Sequence, residues 1–159
     1  MLTQNERMMM IGKMKALPDK LKVTIKDFDE ARLDRPCREG GWSARQIVHH
    51  LADSHMNAFV RFKLTLTEDR PTLKAYNQDL WAKLPDISRT PIQASLDILG
   101  GLHKRFVALM EALNEEDWRR SAIHTESGEM TLDDLLQIYS DHGENHIAQI
   151  AASRSPEGR

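Results

Sequence analysis

His142 and His146 stand four residues apart in the run from Leu135 to Ile150. On an α-helix that spacing makes two side chains neighbours, so both imidazoles can converge on one ion from a single rigid element. Leu132, Leu135, Leu136, Tyr139, His142, His146 and Ile150 recur at helical spacing and share one side. The histidines therefore fall within the face expected to be buried. Buried imidazoles need partners. A backbone carbonyl would satisfy a core histidine one at a time, whereas a divalent ion would satisfy both if another helix supplied a third ligand.

That other helix has three histidines to offer. Val48, Leu51, His55, Phe59 and Phe62 mark the centre of its apolar face, and Gln46, His50, Asp53, Asn57 and Arg61 form a polar stripe on the flank. Periodicity points to His55 as the inward histidine and leaves His50 facing solvent or a cleft. The pattern alone does not choose among His49, His50 and His55.

The elements that must carry these residues have recognisable ends. Thr131 with Asp134, and Ser43 with Gln46, read as capping boxes, with Met130/Leu135 and Trp42/Ile47 as the accompanying staple pairs. The spacing predicts a helix from Ala44 to about Leu66 and another from Thr131 onward. An amphipathic stretch from Gln4 to Leu33 carries Met10, Ile11, Met14, Leu17, Leu21, Ile25 and Phe28, and Pro18 within it predicts a kink or two shorter helices. The Met8 to Met10 run suits flexible packing against a neighbour or a second subunit. Thr90, Pro91 and Gln93 predict the start of a third long helix, with Ile92, Leu96, Leu99, Phe106, Leu109 and Leu113 as its core face. Gly100-Gly101 costs that helix roughly 1 kcal/mol per glycine, for which close approach of another backbone is the expected compensation. Between Pro71 and Pro85 lies an irregular connection holding Tyr76 and Trp81, with room for one short helical turn. Glu115 to Met130 is a polar connection with a hairpin or a turn of helix, and a frayed tail is expected from Arg154. Four long helices with a long crossover between the second and third give an all-α four-helix bundle.

Composition narrows the classes. The 159 residues are read as a single domain, 1–159, with 40% hydrophobic and 29% charged residues and a net charge of -2. Lys and Arg are spread along the chain, which argues against nucleic acid as a partner. No apolar run approaches the roughly 20 residues of a membrane span. With no recognisable secretion signal and a single cysteine, Cys37, the expected location is the cytoplasm.

The run Gly40 to Asn57, containing His49-His50-Leu51-Ala52, together with Arg61-Phe62-Lys63, Leu66-Thr67-Glu68, Tyr76, Trp81 and the His142-x3-His146-Ile147-Ala148 segment, resembles the YfiT-like group of the DinB-like superfamily. The likeness covers about Leu17 to Arg154. It implies a four-helix bundle, usually a homodimer, in which three histidines bind a divalent ion such as nickel, zinc or iron. Carried over by position, the ligands are His50, His142 and His146. This selects the histidine that the amphipathic pattern left outside the core face, which is consistent only if the site lies in a cleft. Where close relatives have an aromatic residue and a further histidine, this chain has Asp141 and Asn145.

Three neutral imidazoles leave a divalent ion with an open position, where it can lower the pKa of water to roughly 7, polarise a carbonyl or hold a thiolate. Hydrolysis calls for a carboxylate base; Glu144 points away from the ligand face, leaving Asp53 and Glu68. A metal-held thiolate needs less help. The expected activity is therefore transfer of a low-molecular-weight thiol co-substrate to a small electrophile, with hydrolysis of a small-molecule substrate as the alternative and a non-catalytic metal-binding stress-response role as another. His103 is a candidate for contact with a ligand or substrate, or a half-buried structural residue. Arg61 and Tyr76 are candidates for binding an anionic thiol. Cys37 is read as incidental.

Overall fold

The computed structural model describes residues 1–153, so the tail expected to fray from Arg154 lies outside the described residues. Four long helices form the frame. α1 (Gln4–Ile25) starts at Thr3, whose side chain accepts from the Glu6 amide while the Glu6 carboxylate reaches back. α1 runs unbroken through Pro18, so two short helices do not form, and it stops at Ile25 rather than Leu33. The chain restarts when Asp29 caps a separate short helix, α2 (Glu30–Asp34). α3 (Ala44–Thr67) begins at the Ser43/Gln46 capping box.

The crossover is more ordered than its sequence suggests. It holds β1 (Thr72–Leu73), α4 (Gln78–Trp81) and α5 (Pro85–Arg89). α6 (Ile92–Glu111) follows, and the expected Thr90 cap is not used: Pro91 is the N-cap and no side chain caps the helix. After α6 come α7 (Glu115–Trp118), β2 (Ser121–His124) and β3 (Gly128–Thr131), so both the helical turn and the hairpin are present. α8 (Leu132–Ala152) begins at the Thr131/Asp134 capping box. β1 pairs parallel with β2, and β2 antiparallel with β3, a small sheet that an all-α reading does not include. The sheet fastens the start of the crossover to the hairpin that feeds α8. The fold is mostly helical, with the expected four-helix bundle topology.

Two apolar clusters fill the bundle. One gathers Met14, Phe62, Phe106, Trp118, Leu132 and Leu135 at the sheet end, and the other gathers Leu21, Ile47, Leu51, Leu99 and Ile150 at the opposite end. Where they meet, three of the long helices present histidines: His50 and His55 from α3, His103 from α6, and His142 and His146 from α8. α1 passes this level between Met14 and Leu21.

Two glycine positions differ from expectation. A Cβ added at Gly100 or Gly101 would meet nothing within 4 Å, so no backbone packs closely there. At Gly143, by contrast, a Cβ would lie 2.9 Å from both methyl carbons of Leu17. The close approach of helices is thus between α1 and α8, beside His142. No helix among the described residues is long and apolar enough to cross a membrane.

Candidate metal centre

All three histidines of α3 are buried, and each is drawn to a different neighbour. His49 turns to α6, where its Nδ1 lies 2.8 Å from the Ser95 hydroxyl. His55 turns to His103, at 3.0 Å. His50 turns to α8, its Nε2 3.0 Å from Nε2 of His142. Of the two settings expected for His50, solvent or a cleft, its exposure of 2% rules out open solvent, and it groups with the two histidines that border a cavity. α3 is enclosed by the other helices on one side and by the crossover on the other, so even the polar stripe is covered. Asp53, Asn57 and Arg61 on that stripe are all at least half-buried.

His146 completes the group, with its Nε2 3.2 Å from that of His142. One ligand atom from each of His50, His142 and His146 lies within 4.8 Å of the others. Trp42 walls the cluster, edge-on to His50 with ring centroids 4.7 Å apart and parallel to His146 at 6.2 Å. A cavity of about 350 Å³ opens in front, bordered by Arg38, Gly41, Trp42, Gln78, Asp79 and Gln149 as well as the two α8 histidines.

The donor set fits a divalent ion. A ring nitrogen that donates to one neighbour cannot also accept from it, so three converging Nε2 atoms cannot all satisfy one another with protons. Three imidazole nitrogens gathered within 4.8 Å of one another, two pairs of them at 3.0 and 3.2 Å, are the kind of donor set that would hold one divalent ion. Burial favours the neutral, lone-pair form that coordination needs. It is the largest influence lowering His50 to about 3, with the charges of His142 and His146 adding to it. Burial and then His146 lower His142 to about 4. His146 is lowered by burial, against the opposing bond of its Nδ1 to Gln149 Oε1 at 3.1 Å.

The remaining candidates are dispersed. His103 is buried rather than half-buried, and its Nδ1 lies 2.6 Å from the Met14 carbonyl oxygen. Burial lowers both His55 and His103, so these rings are also neutral. Asp53 is half-buried, and its carboxyl is pushed up to about 6 by burial and then by the charge of Asp86. Glu68 is exposed at the C-cap of α3, about 27 Å along the helix axis from His50, and so is too far to serve there. Arg61 donates to the Tyr139 hydroxyl at 2.7 Å and to the Lys74 carbonyl at 2.6 Å, which ties the crossover down. Tyr76 packs against Trp81 with centroids 4.3 Å apart and the rings tilted by 38°. Asp53, Arg61 and Tyr76 are not among the walls of the cavity. Asp141 pairs with Lys13 at 3.4 Å and Glu144 with Lys20 at 2.7 Å, both facing α1. Cys37 is partly buried, with its thiol raised mainly by burial.

Sequence reasoning missed Trp42 as a wall, Asp79 as the carboxylate at the cavity, and Gln149 as the partner of His146. Only Gln149 had a local signal, its place one turn after His146 on the same helix.

Comparison with known proteins gives the chain a family and a fold neighbour. A protein of Bacillus cereus (strain B4264), provisionally named a metal-dependent hydrolase, is 46% identical over 144 residues, covering 91% of this chain and 83% of its own. A protein of Bacillus mycoides (strain KBAB4) with the same provisional name matches to the same extent. The solved structure of YfiT from Bacillus subtilis, described provisionally as a metal-dependent hydrolase with an unusual four-helix bundle topology, superposes with a TM-score of 0.93 at 36% identity. It covers 96% of this chain and 88% of YfiT. TT2238, a four-helix bundle protein, shares the fold at a TM-score of 0.60 and 18% identity over 92% of this chain and 96% of its own. The DinB superfamily profile matches residues 14–150, and with these likenesses it shows that the chain belongs to the DinB superfamily.

Proposed function

We propose that this protein is a metal-dependent hydrolase of a small, polar molecule, with His50, His142 and His146 holding one divalent transition-metal ion. The observation that carries the reading is the convergence of three neutral Nε2 atoms beside an open cavity. The provisional names of the relatives support it. When bound, the ion supplies Lewis acidity and makes water a competent nucleophile near neutral pH. The protein does the rest. The α3 and α8 histidines fix the ion's place, Trp42 shields one side of it, and substrate enters through the cavity bordered by Arg38 and Gln78.

The sequence favours thiol transfer because a metal-held thiolate needs less help than water, with Asp53 and Glu68 as the candidate bases for hydrolysis. Asp79 is an exposed carboxylate bordering the same cavity as His142 and His146, and we assign it the role of general base toward a water bound there. Arg61, expected to meet an anionic thiol, is already bonded to Tyr139 and Lys74.

Protein purified without an affinity tag is expected to carry about one divalent ion per chain and to hydrolyse a member of an ester and amide panel in a metal-dependent way. His142→Ala removes most of the metal. Asp79→Asn keeps the metal but lowers turnover about a hundredfold or more, the usual scale of acid–base catalysis. Thiol conjugation without hydrolysis, or hydrolysis unaffected by metal removal, would refute the reading.

A further inference from the structure

Behind His142 lie two histidines that the metal centre does not use. Nδ1 of His103 is 2.6 Å from the Met14 carbonyl oxygen, and because a carbonyl only accepts, that nitrogen carries the ring's proton. The carbonyl is free for it because the residue four positions later in α1 is Pro18, which has no N–H to donate. In a neutral ring the other nitrogen is then an acceptor, so Nε2 of His103 accepts from Nδ1–H of His55 at 3.0 Å. His55 is left with a bare Nε2 lone pair, buried and without a partner among the described residues.

His142 presents the complement. Its Nε2 faces the other two ligands, and in the tautomer that can offer an ion a lone pair there the proton stands on Nδ1, which is also buried and unpartnered. The rings of His55 and His142 stand 5.9 Å apart, tilted by 34°. A buried acceptor without a donor and a buried donor without an acceptor thus sit on adjacent rings, and each is costly alone. His146, the other ligand on α8, already has such an acceptor for its Nδ1 in Gln149.

We infer that His55 and His103 are positioning residues for His142. Anchored on the carbonyl that Pro18 leaves free, they offer the His142 Nδ1–H an acceptor through one bridging water, and so hold the tautomer whose Nε2 lone pair faces the ion. The inference rests on the metal-site reading, but its first test does not need the metal. Long-range ¹H–¹⁵N NMR of the metal-free protein at neutral pH is expected to show His103, His55 and His142 all protonated at Nδ1. Zinc affinity, measured by chelator competition, is expected to fall ten- to a hundredfold in His55→Leu, the usual scale for loss of a partner behind a ligand. His55→Gln, whose amide can both accept and donate, restores most of it. His142 protonated at Nε2 in the wild-type protein, or zinc affinity unchanged in a folded His55→Leu, would overturn the inference. If His55→Leu does not fold, the wild-type tautomers decide. Wild-type protein that binds no zinc yet shows the expected tautomers would overturn the metal reading and leave the hydrogen-bonded chain standing.

Discussion

His50 and His142 illustrate how burial prepares a ligand before any ion arrives. Each has an ordinary value of 6.5, and in the folded, metal-free chain they fall to about 3 and about 4. Below pH 6.5 the unfolded chain binds protons that the folded chain refuses, so stability is intact above 6.5 and declines as the pH drops toward 3. Asp53 acts in the opposite sense between about 6 and 3.8, where the folded state binds the extra proton, but it is one group against several rings. The urea midpoint of the metal-free protein is therefore expected to be lower at pH 5 than at pH 7. Excess zinc is expected to move the loss to lower pH, because an ion that binds only the folded chain stabilises it. A midpoint that holds steady or rises between pH 7 and pH 5 would show that these rings are not buried neutral.

At the scale of elements, the starts of α3 and α8 were legible, while the end of α1, the cap of α6 and the surroundings of the helices were not. The capping boxes at Ser43/Gln46 and Thr131/Asp134 involve groups three residues apart, so their chemistry is local and visible in the chain. Burial of α3 is different, because the crossover that covers its polar stripe is distant in sequence and largely polar itself. The glycines make the same point. Gly101→Ala is expected to raise stability by about 1 kcal/mol, since it adds helix propensity and its Cβ meets nothing. Gly143→Ala gains the same propensity but forces its methyl onto Leu17, which is 2% exposed and has little room to move. Overpacking of about 1–3 kcal/mol outweighs the gain, so this variant is expected to be less stable than wild type. Parallel denaturant titrations of the two variants check the contrast, and a stabilised Gly143→Ala would contradict the close packing of α1 on α8.

The whole molecule is tied together by a buried ion pair far along the chain. Arg7 on α1 bonds through Nε to Asp133 at 2.6 Å and through another guanidinium nitrogen to Glu115 at 2.6 Å, and its guanidinium lies 5.1 Å from the centre of the Trp118 ring. The Leu2 amide also donates to Asp133. Arg7 and Asp133 are both buried, so Asp133→Ala leaves the cation with only the exposed Glu115 as a partner and is expected to cost up to about 3 kcal/mol. Thermal or denaturant unfolding reads this directly; a change below about 1 kcal/mol would mean that the pair is not buried in solution. The pair sits at the sheet end, next to the larger apolar cluster, while the histidine layer lies where the two clusters meet.

The chain by itself determined the number of long helices, the starts of α3 and α8, the shared face of His142 and His146 on α8, and, through the family resemblance, the choice of His50 as their companion. These depend on caps, on periodicity along one helix, and on a motif contiguous in sequence. Only the tertiary structure decided that His49 turns to Ser95, that Asp79 and Trp42 border the site, and that His55 leans on His103 and, through it, on the Met14 carbonyl. Those choices depend on which neighbour each side chain finds across the bundle. Helix periodicity gives the direction a residue faces but not what stands opposite it.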